Sequence, residues 1–201
     1  MSAPEIPITI QRGKTFEFGF LYAEDELLYL PITGMPSTAP VRLTVVGHNV
    51  PDGWPVRVTC VKAPAELNTP DDESQIVKLV DADTVELNAL NAHCWKAFSG
   101  SGLLVLNKPM DLTGWNCRAQ VRDKPGGTVL FTWHSDPAES PDGEIEVDLA
   151  HSAFVLKMDA ATAAALEWKR GKYDVEAIAP GGQIYPLTAI SDIEVADEVT
   201  A

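Results

Sequence analysis

The sequence predicts an all-β fold, and three observations carry that expectation. Apolar and polar side chains alternate along short runs, which is the period of a strand with one buried face. Glycine and proline, 14 and 15 residues, are spread along the whole chain and separate those runs as turns. Only the stretch after Asp159 has the composition and end signals of a helix. With 201 residues, 45% of them hydrophobic and 22% charged, the chain can fill the core of one large domain or two small ones.

The elements follow in order. Residues 8–10 read as a first strand, and residues 15–22 as a second with Phe16, Phe18 and Phe20 on one face. Residues 27–32 read as its hairpin partner. Residues 41–46 and 54–61 are strands on either side of the turn Pro51-Asp52-Gly53, and residues 63–74 form a polar loop. Residues 76–80 and 84–87 form a hairpin across the acidic turn Asp81-Ala82-Asp83. Gly100-Ser101-Gly102 leads into a last strand of this group, 103–106. Beyond it, residues 116–122 turn Cys117, Ala119 and Val121 inward, and Pro125-Gly126-Gly127 leads to their partner, 128–133. Strands at 144–149, with Ile145, Val147 and Leu149 inward, and at 154–158 precede the helix. Asp159 is its N-cap, Ala160 to Trp168 its body, Lys169 and Arg170 suit its C-terminal dipole, and Gly171 stops it. A hairpin of residues 173–178 and 184–190 across Pro180-Gly181-Gly182 closes the fold, Ile193 and Val195 continue an edge strand, and the chain frays from Val199.

Charge narrows the partners. Lys plus Arg is 15 and Asp plus Glu 29, so the net charge is -14. Such a surface repels phosphate and anionic lipid, so neither a nucleic acid nor a membrane is an expected partner. No apolar run approaches the roughly 20 residues of a membrane span, and the first residues do not read as a secretory signal. Cys60, Cys94 and Cys117 are odd in number and contain no CxxC spacing, which predicts three reduced and mostly buried thiols.

From Asp111-Leu112-Thr113-Gly114-Trp115 onward a pattern forms. The run DLTGWNCRAQVRD, the strand GEIEVDL, the segment MDAATAAALEW and then YDVEAIAPGG resemble a family of bacteriophage tail, baseplate and tail-fibre-associated virion proteins. The segment ITIQRGKTFEFGF looks like the first strand pair of the same module. Between them, His48, Asp52, Gly53, Asp81, Asp83, Thr84 and Leu87 match small β modules of phage tail proteins. The resemblance implies an immunoglobulin-like β-sandwich with one short helix, residues 1–35 and 108–201, interrupted by an inserted small β-barrel-like domain, 36–107. Most of the acidity lies outside the insert.

Candidate sites are few. His134-Ser135-Asp136 holds the residue types of a hydrolase triad, but adjacent side chains diverge and cannot converge on one substrate atom. Asp71-Asp72-Glu73 and Asp81/Asp83 lack calcium-loop spacing, and the second pair suits a hairpin turn. His48 has no second histidine at metal spacing, although His93 beside Cys94 could join it in space, and it is expected to bond across its turn. No catalytic, cofactor-binding or metal residue is therefore assigned, and no cofactor is expected. The interface residues expected are Trp54, Trp95, Leu103, Leu106, Ile184, Ile193 and Val195, while Trp115 and Trp133 are expected in or over the core.

Together these readings predict a non-enzymatic virion structural protein, made in the host bacterial cytoplasm and carried in the tail region. It would form a symmetric homo-oligomer and dock other virion tail proteins. The alternative is a receptor- or glycan-binding module of a tail protein, with Trp54 and Trp95 as the sugar platform. A depolymerase would need a convergent carboxylate pair in a cleft.

Overall fold

Seventeen strands and one short helix form among residues 3–197, which the structure, a computed structural model, describes. In chain order they are β1 (Ile8–Gln11), β2 (Phe16–Leu21), β3 (Ala23–Pro31), β4 (Gly34–Thr38), β5 (Val41–Thr44), β6 (Pro55–Thr59), β7 (Gln75–Ile76), β8 (Lys78–Asp81), β9 (Thr84–Leu87) and β10 (Leu103–Pro109). There follow β11 (Asn116–Arg122), β12 (Val129–His134), β13 (Gly143–Asp148), β14 (Ala153–Met158), α1 (Ala160–Ala165), β15 (Arg170–Ile178), β16 (Ile184–Pro186) and β17 (Ser191–Ala196). The all-β class holds. The fraying expected from Val199 lies outside the described residues.

The chain divides into two compact units. The first takes the chain up to Leu21, Asp111–Leu149 and the chain from Ala153. Its strands join edge to edge in the order β1-β17-β15-β11-β12-β13-β14-β2, with β16 added beside β15. The ends of that path, β1 and β2, are consecutive in the chain, so the expected sandwich is one sheet curled nearly closed on itself. Alternation decides what faces inward: Cys117, Ala119 and Val121 on β11 are buried, as are Tyr173, Val175 and Ala177 opposite them on β15. Aromatic packing fills one region, where the Trp133 ring centroid lies 4.5 Å from that of Phe131 and 6.3 Å from that of Phe16.

The second unit is Tyr22–Met110 with Ala150–Ser152. It contains two four-stranded sheets, β3-β10-β6-β7 and β4-β5-β9-β8, around a core that includes Trp54, Val58, Leu104, Leu43, Val85 and Leu87. The expected boundaries 36–107 are corrected outward. Residues 27–32 do not pair with the second strand; β3 instead zips along β10, from Pro31 opposite Leu103 to Ala23 opposite Pro109. β2 takes β14 as its partner, with Phe18 opposite Leu156 and Phe20 opposite Phe154. Leu28 and Leu30 face the second core while Phe16 and Phe20 face the first, so Tyr22 is where the chain changes cores. The unit's ends meet: the Met110 amide donates to the Tyr22 carbonyl at 3.1 Å, which leaves little closure entropy to overcome for an insertion.

Turns carry the acidic residues named above. The Asp83 amide donates to Asp81 Oδ1 at 2.9 Å, and the Gly47 amide to Asp83 Oδ1 at 2.8 Å. His48 bonds across its turn, with Nδ1 accepting from the Val50 amide and Nε2 2.9 Å from the Asp81 carbonyl. Asp159 caps α1 by accepting from the Thr162 amide at 2.7 Å. The helix is shorter than expected: it ends at Ala165, and Lys169 and Arg170 lead into β15. Of the three thiols only Cys117 is buried, and burial pushes its pKa far up; Cys60 and Cys94 are exposed, correcting the expectation for them.

A pH dependence follows from these turns. Backbone donors hold Asp81 and Asp159 below the usual carboxylate range, and the Thr113 side chain and amide do the same for Asp111. A carboxyl whose pKa is lower when folded contributes stability above its unfolded pKa and loses it as pH falls through the folded value. Thermal melts should therefore show a falling Tm below about pH 4, and Asp111→Asn should flatten that fall. A profile unchanged by Asp111→Asn would remove Asp111 from the account.

Candidate docking surface

The segment Asp111 to Trp115 builds one side of the candidate surface. Asp111 Oδ1 accepts from the Thr113 amide at 2.9 Å and from its hydroxyl at 2.7 Å, closing a tight side-chain turn. Leu112 is the buried anchor, the Trp115 amide returns to the Leu112 carbonyl, and Gly114 takes φ +75°. A Cβ there would stand 3.3 Å from Pro180, so the turn leans on the β15–β16 connection. That connection is closed by the Ala179 amide bonding the Gln183 carbonyl and by Gly182 at φ +83°.

The two turns place Trp115 against Tyr185, ring centroids 5.8 Å apart. Trp115 has the parity of inward residues Cys117 and Ala119, but it precedes β11 by one residue and is only half-buried. All three residues of β16 are exposed, Ile184 at 49% and Tyr185 at 44%. β16 pairs only with β15 among the described residues, so its other edge presents backbone groups and apolar side chains together.

Of the expected interface residues, Ile184 is on this surface. Four others are core residues and are corrected: Trp54 (1% exposed), Leu106 (3%), Ile193 (1%) and Val195 (5%). Ile193 and Val195 do not lie on an edge strand, because β17 is flanked by β1 and β15. Leu106 turns inward from β10 beside Leu104. Trp54 is buried with its Nε1–H donating to the Asn107 carbonyl at 3.0 Å, so it cannot serve as a sugar platform. Trp95 is half-buried against the second core, and Leu103 is half-buried. Sequence alone does not single out Tyr185, because a Tyr followed by Pro after a Gly-Gly turn carries no periodicity that separates a rim from a core.

The other candidates are spent on local structure. His134 Nδ1 accepts from the Asp136 amide at 2.8 Å, and Asp136 Oδ1 accepts from the Ala138 amide at 2.9 Å. Ser135 Oγ accepts from the Cys117 amide at 2.9 Å and lies 3.1 Å from Asn116 Oδ1. The three therefore shape a loop after β12, a geometry in which no side chain of the trio bonds another. Among the described residues no group of three or more His, Cys, Asp or Glu is placed to hold a metal ion. Among them, too, no helix is long and apolar enough to cross a membrane. No protein-family model matches the chain, and a comparison with curated proteins finds no relative.

Proposed function

We propose that this chain is a non-enzymatic structural protein of a bacteriophage tail or baseplate, an adaptor that oligomerises and docks a fibre, spike or hub component within the virion. The observation that carries the reading is the exposed β16 edge beside the Trp115–Tyr185 pair. A short edge strand with exposed apolar side chains favours pairing with another chain over chemistry on a small substrate. The Asp111 to Trp115 motif that bears the resemblance to phage tail proteins also builds this surface. A symmetric ring would repeat one modest contact until it is stable.

The test is assembly. Light scattering on the purified protein should give an oligomer, and mass spectrometry of intact phage particles should find the protein in stoichiometric amount. The pair Ile184→Asp and Tyr185→Asp should leave a folded monomer with the circular dichroism of the parent, because both positions are exposed. A wild-type monomer absent from particles would sink the proposal.

A further inference from the structure

β3 ends its sheet, so one side of it is open. The Ile32 amide donates to the Gly102 carbonyl at 3.0 Å, and antiparallel pairing then alternates bonded with unbonded positions. Leu30 opposite Leu104 and Leu28 opposite Leu106 are therefore bonded pairs. Thr69 fits the same parity: its amide and hydroxyl bond the Val58 carbonyl and amide, so Leu104, opposite Val58, bonds β3 instead. The backbone groups of Leu27 and Tyr29 turn to the open side, and among the described residues none of them has a hydrogen-bond partner. The side chains of the same two residues are 45% and 59% exposed. Two features bound this stretch. Pro31 has no N–H to offer a further strand. At the other end the register slips between Asn107 and Pro109, and Glu24, Asp25 and Glu26 sit at that bulge. Lys108 holds Glu24 at 3.0 Å and Glu26 at 3.4 Å, while Asp25 has no ion pair among the described residues.

We propose that the open side of β3 receives an extended segment of a partner protein, which adds a strand beside Leu27 to Tyr29 and sets a lysine or arginine against Asp25. Three observations fix that chemistry. Unpaired backbone donors and acceptors recognise another extended backbone. The exposed Leu27 and Tyr29 side chains fit apolar residues at every second position of it. Three carboxylates around one ammonium leave two negative charges beside the stretch, so the segment's cation belongs at that end. A second copy of this chain is the poorer occupant of this edge, because it brings the same acids and a net charge of -14. The edge belongs to the Tyr22–Met110 unit and does not involve β16, so it stands or falls apart from the virion reading.

The probe is acetyl-Thr-Val-Thr-Val-Thr-Lys-Thr-amide, titrated into the full chain and followed by amide chemical shifts and hydrogen exchange. Paired antiparallel to β3, its valines face Tyr29 and Leu27 and its lysine faces Asp25. The expected result is saturable binding on the order of 1 mM, with slowed exchange at the amides of Leu27 and Tyr29. N-methylation of both valines should abolish binding, since it removes the donors that meet the Tyr29 and Leu27 carbonyls. Glutamate in place of the lysine should weaken binding at least about fivefold, and Asp25→Asn by about two- to fivefold. The variant carrying Ile184→Asp and Tyr185→Asp should bind like the parent. An absence of saturable binding, binding that survives N-methylation, shifts centred on β16, or an affinity unchanged by Asp25→Asn or by the glutamate peptide would each overturn the assignment. So would slowed exchange at Leu27 and Tyr29 that grows with protein concentration before any peptide is added, which marks a second copy on this edge.

Discussion

Replacing Trp54 by Ala is expected to cost about 3–5 kcal/mol of unfolding free energy. The side chain is 1% exposed in the core of the Tyr22–Met110 unit, between Val50 and Val56 in sequence and among the apolar side chains of both its sheets. Its removal leaves a cavity the size of an indole, and it also strips the Asn107 carbonyl of its Nε1–H donor, 3.0 Å away. A carbonyl left without a donor adds to the cavity cost. Trp54→Phe separates the two contributions. It keeps most of the apolar volume and loses the hydrogen bond, so it should cost less than the alanine variant. Urea unfolding followed by tryptophan emission reads both. A loss under about 1 kcal/mol for Trp54→Ala would mean that the indole is a surface group after all. The sugar-platform reading predicts that result, together with lost polysaccharide binding by a fully folded protein.

Local signals are legible in the sequence wherever one face of a strand meets one core. The alternation of Cys117, Ala119 and Val121 locates β11, the phenylalanines of 16–20 locate β2, and Asp159 locates the helix start. The acidic turn at Asp81 to Asp83 also forms as its residue types demand. Which strand pairs with which is not legible. Residues 27–32 alternate equally well whether they pair with the strand before them or with β10, because a hairpin and a long-range pair present the same period. That ambiguity displaces the domain boundary. The same limit governs the interface. Alternation distinguishes the two faces of a strand but not a central strand from an edge, so Ile193 and Val195, flanked by β1 and β15, read like rim residues. Tyr185 owes its interest to a neighbour far away in the chain, Trp115, which no local window contains.

Gly171→Ala is expected to destabilise the first unit by about 1–3 kcal/mol, and Gly171→Asn by more. In the sequence Gly171 follows a basic pair at the end of an Ala-rich helix and reads as a stop, a position where asparagine substitutes well because it tolerates a positive φ. In the structure it is buried inside β15, opposite Ile193, and has no positive φ. A Cβ built there would stand 2.6 Å from Val121 Cγ1 and 2.9 Å from the Arg122 carbonyl oxygen. The valine can turn, but the carbonyl belongs to the ladder between β11 and β15 and cannot withdraw without loosening it. Bulk therefore decides the outcome, and the polar amide of asparagine would add the burial of unsatisfied groups. The two origins of the glycine give opposite orders in a denaturant titration. A helix stop makes Asn the milder replacement, and a close-packed strand makes Ala the milder one. Finding Asn milder than Ala would show that the helix runs on past Ala165 and that β15 begins later than Arg170.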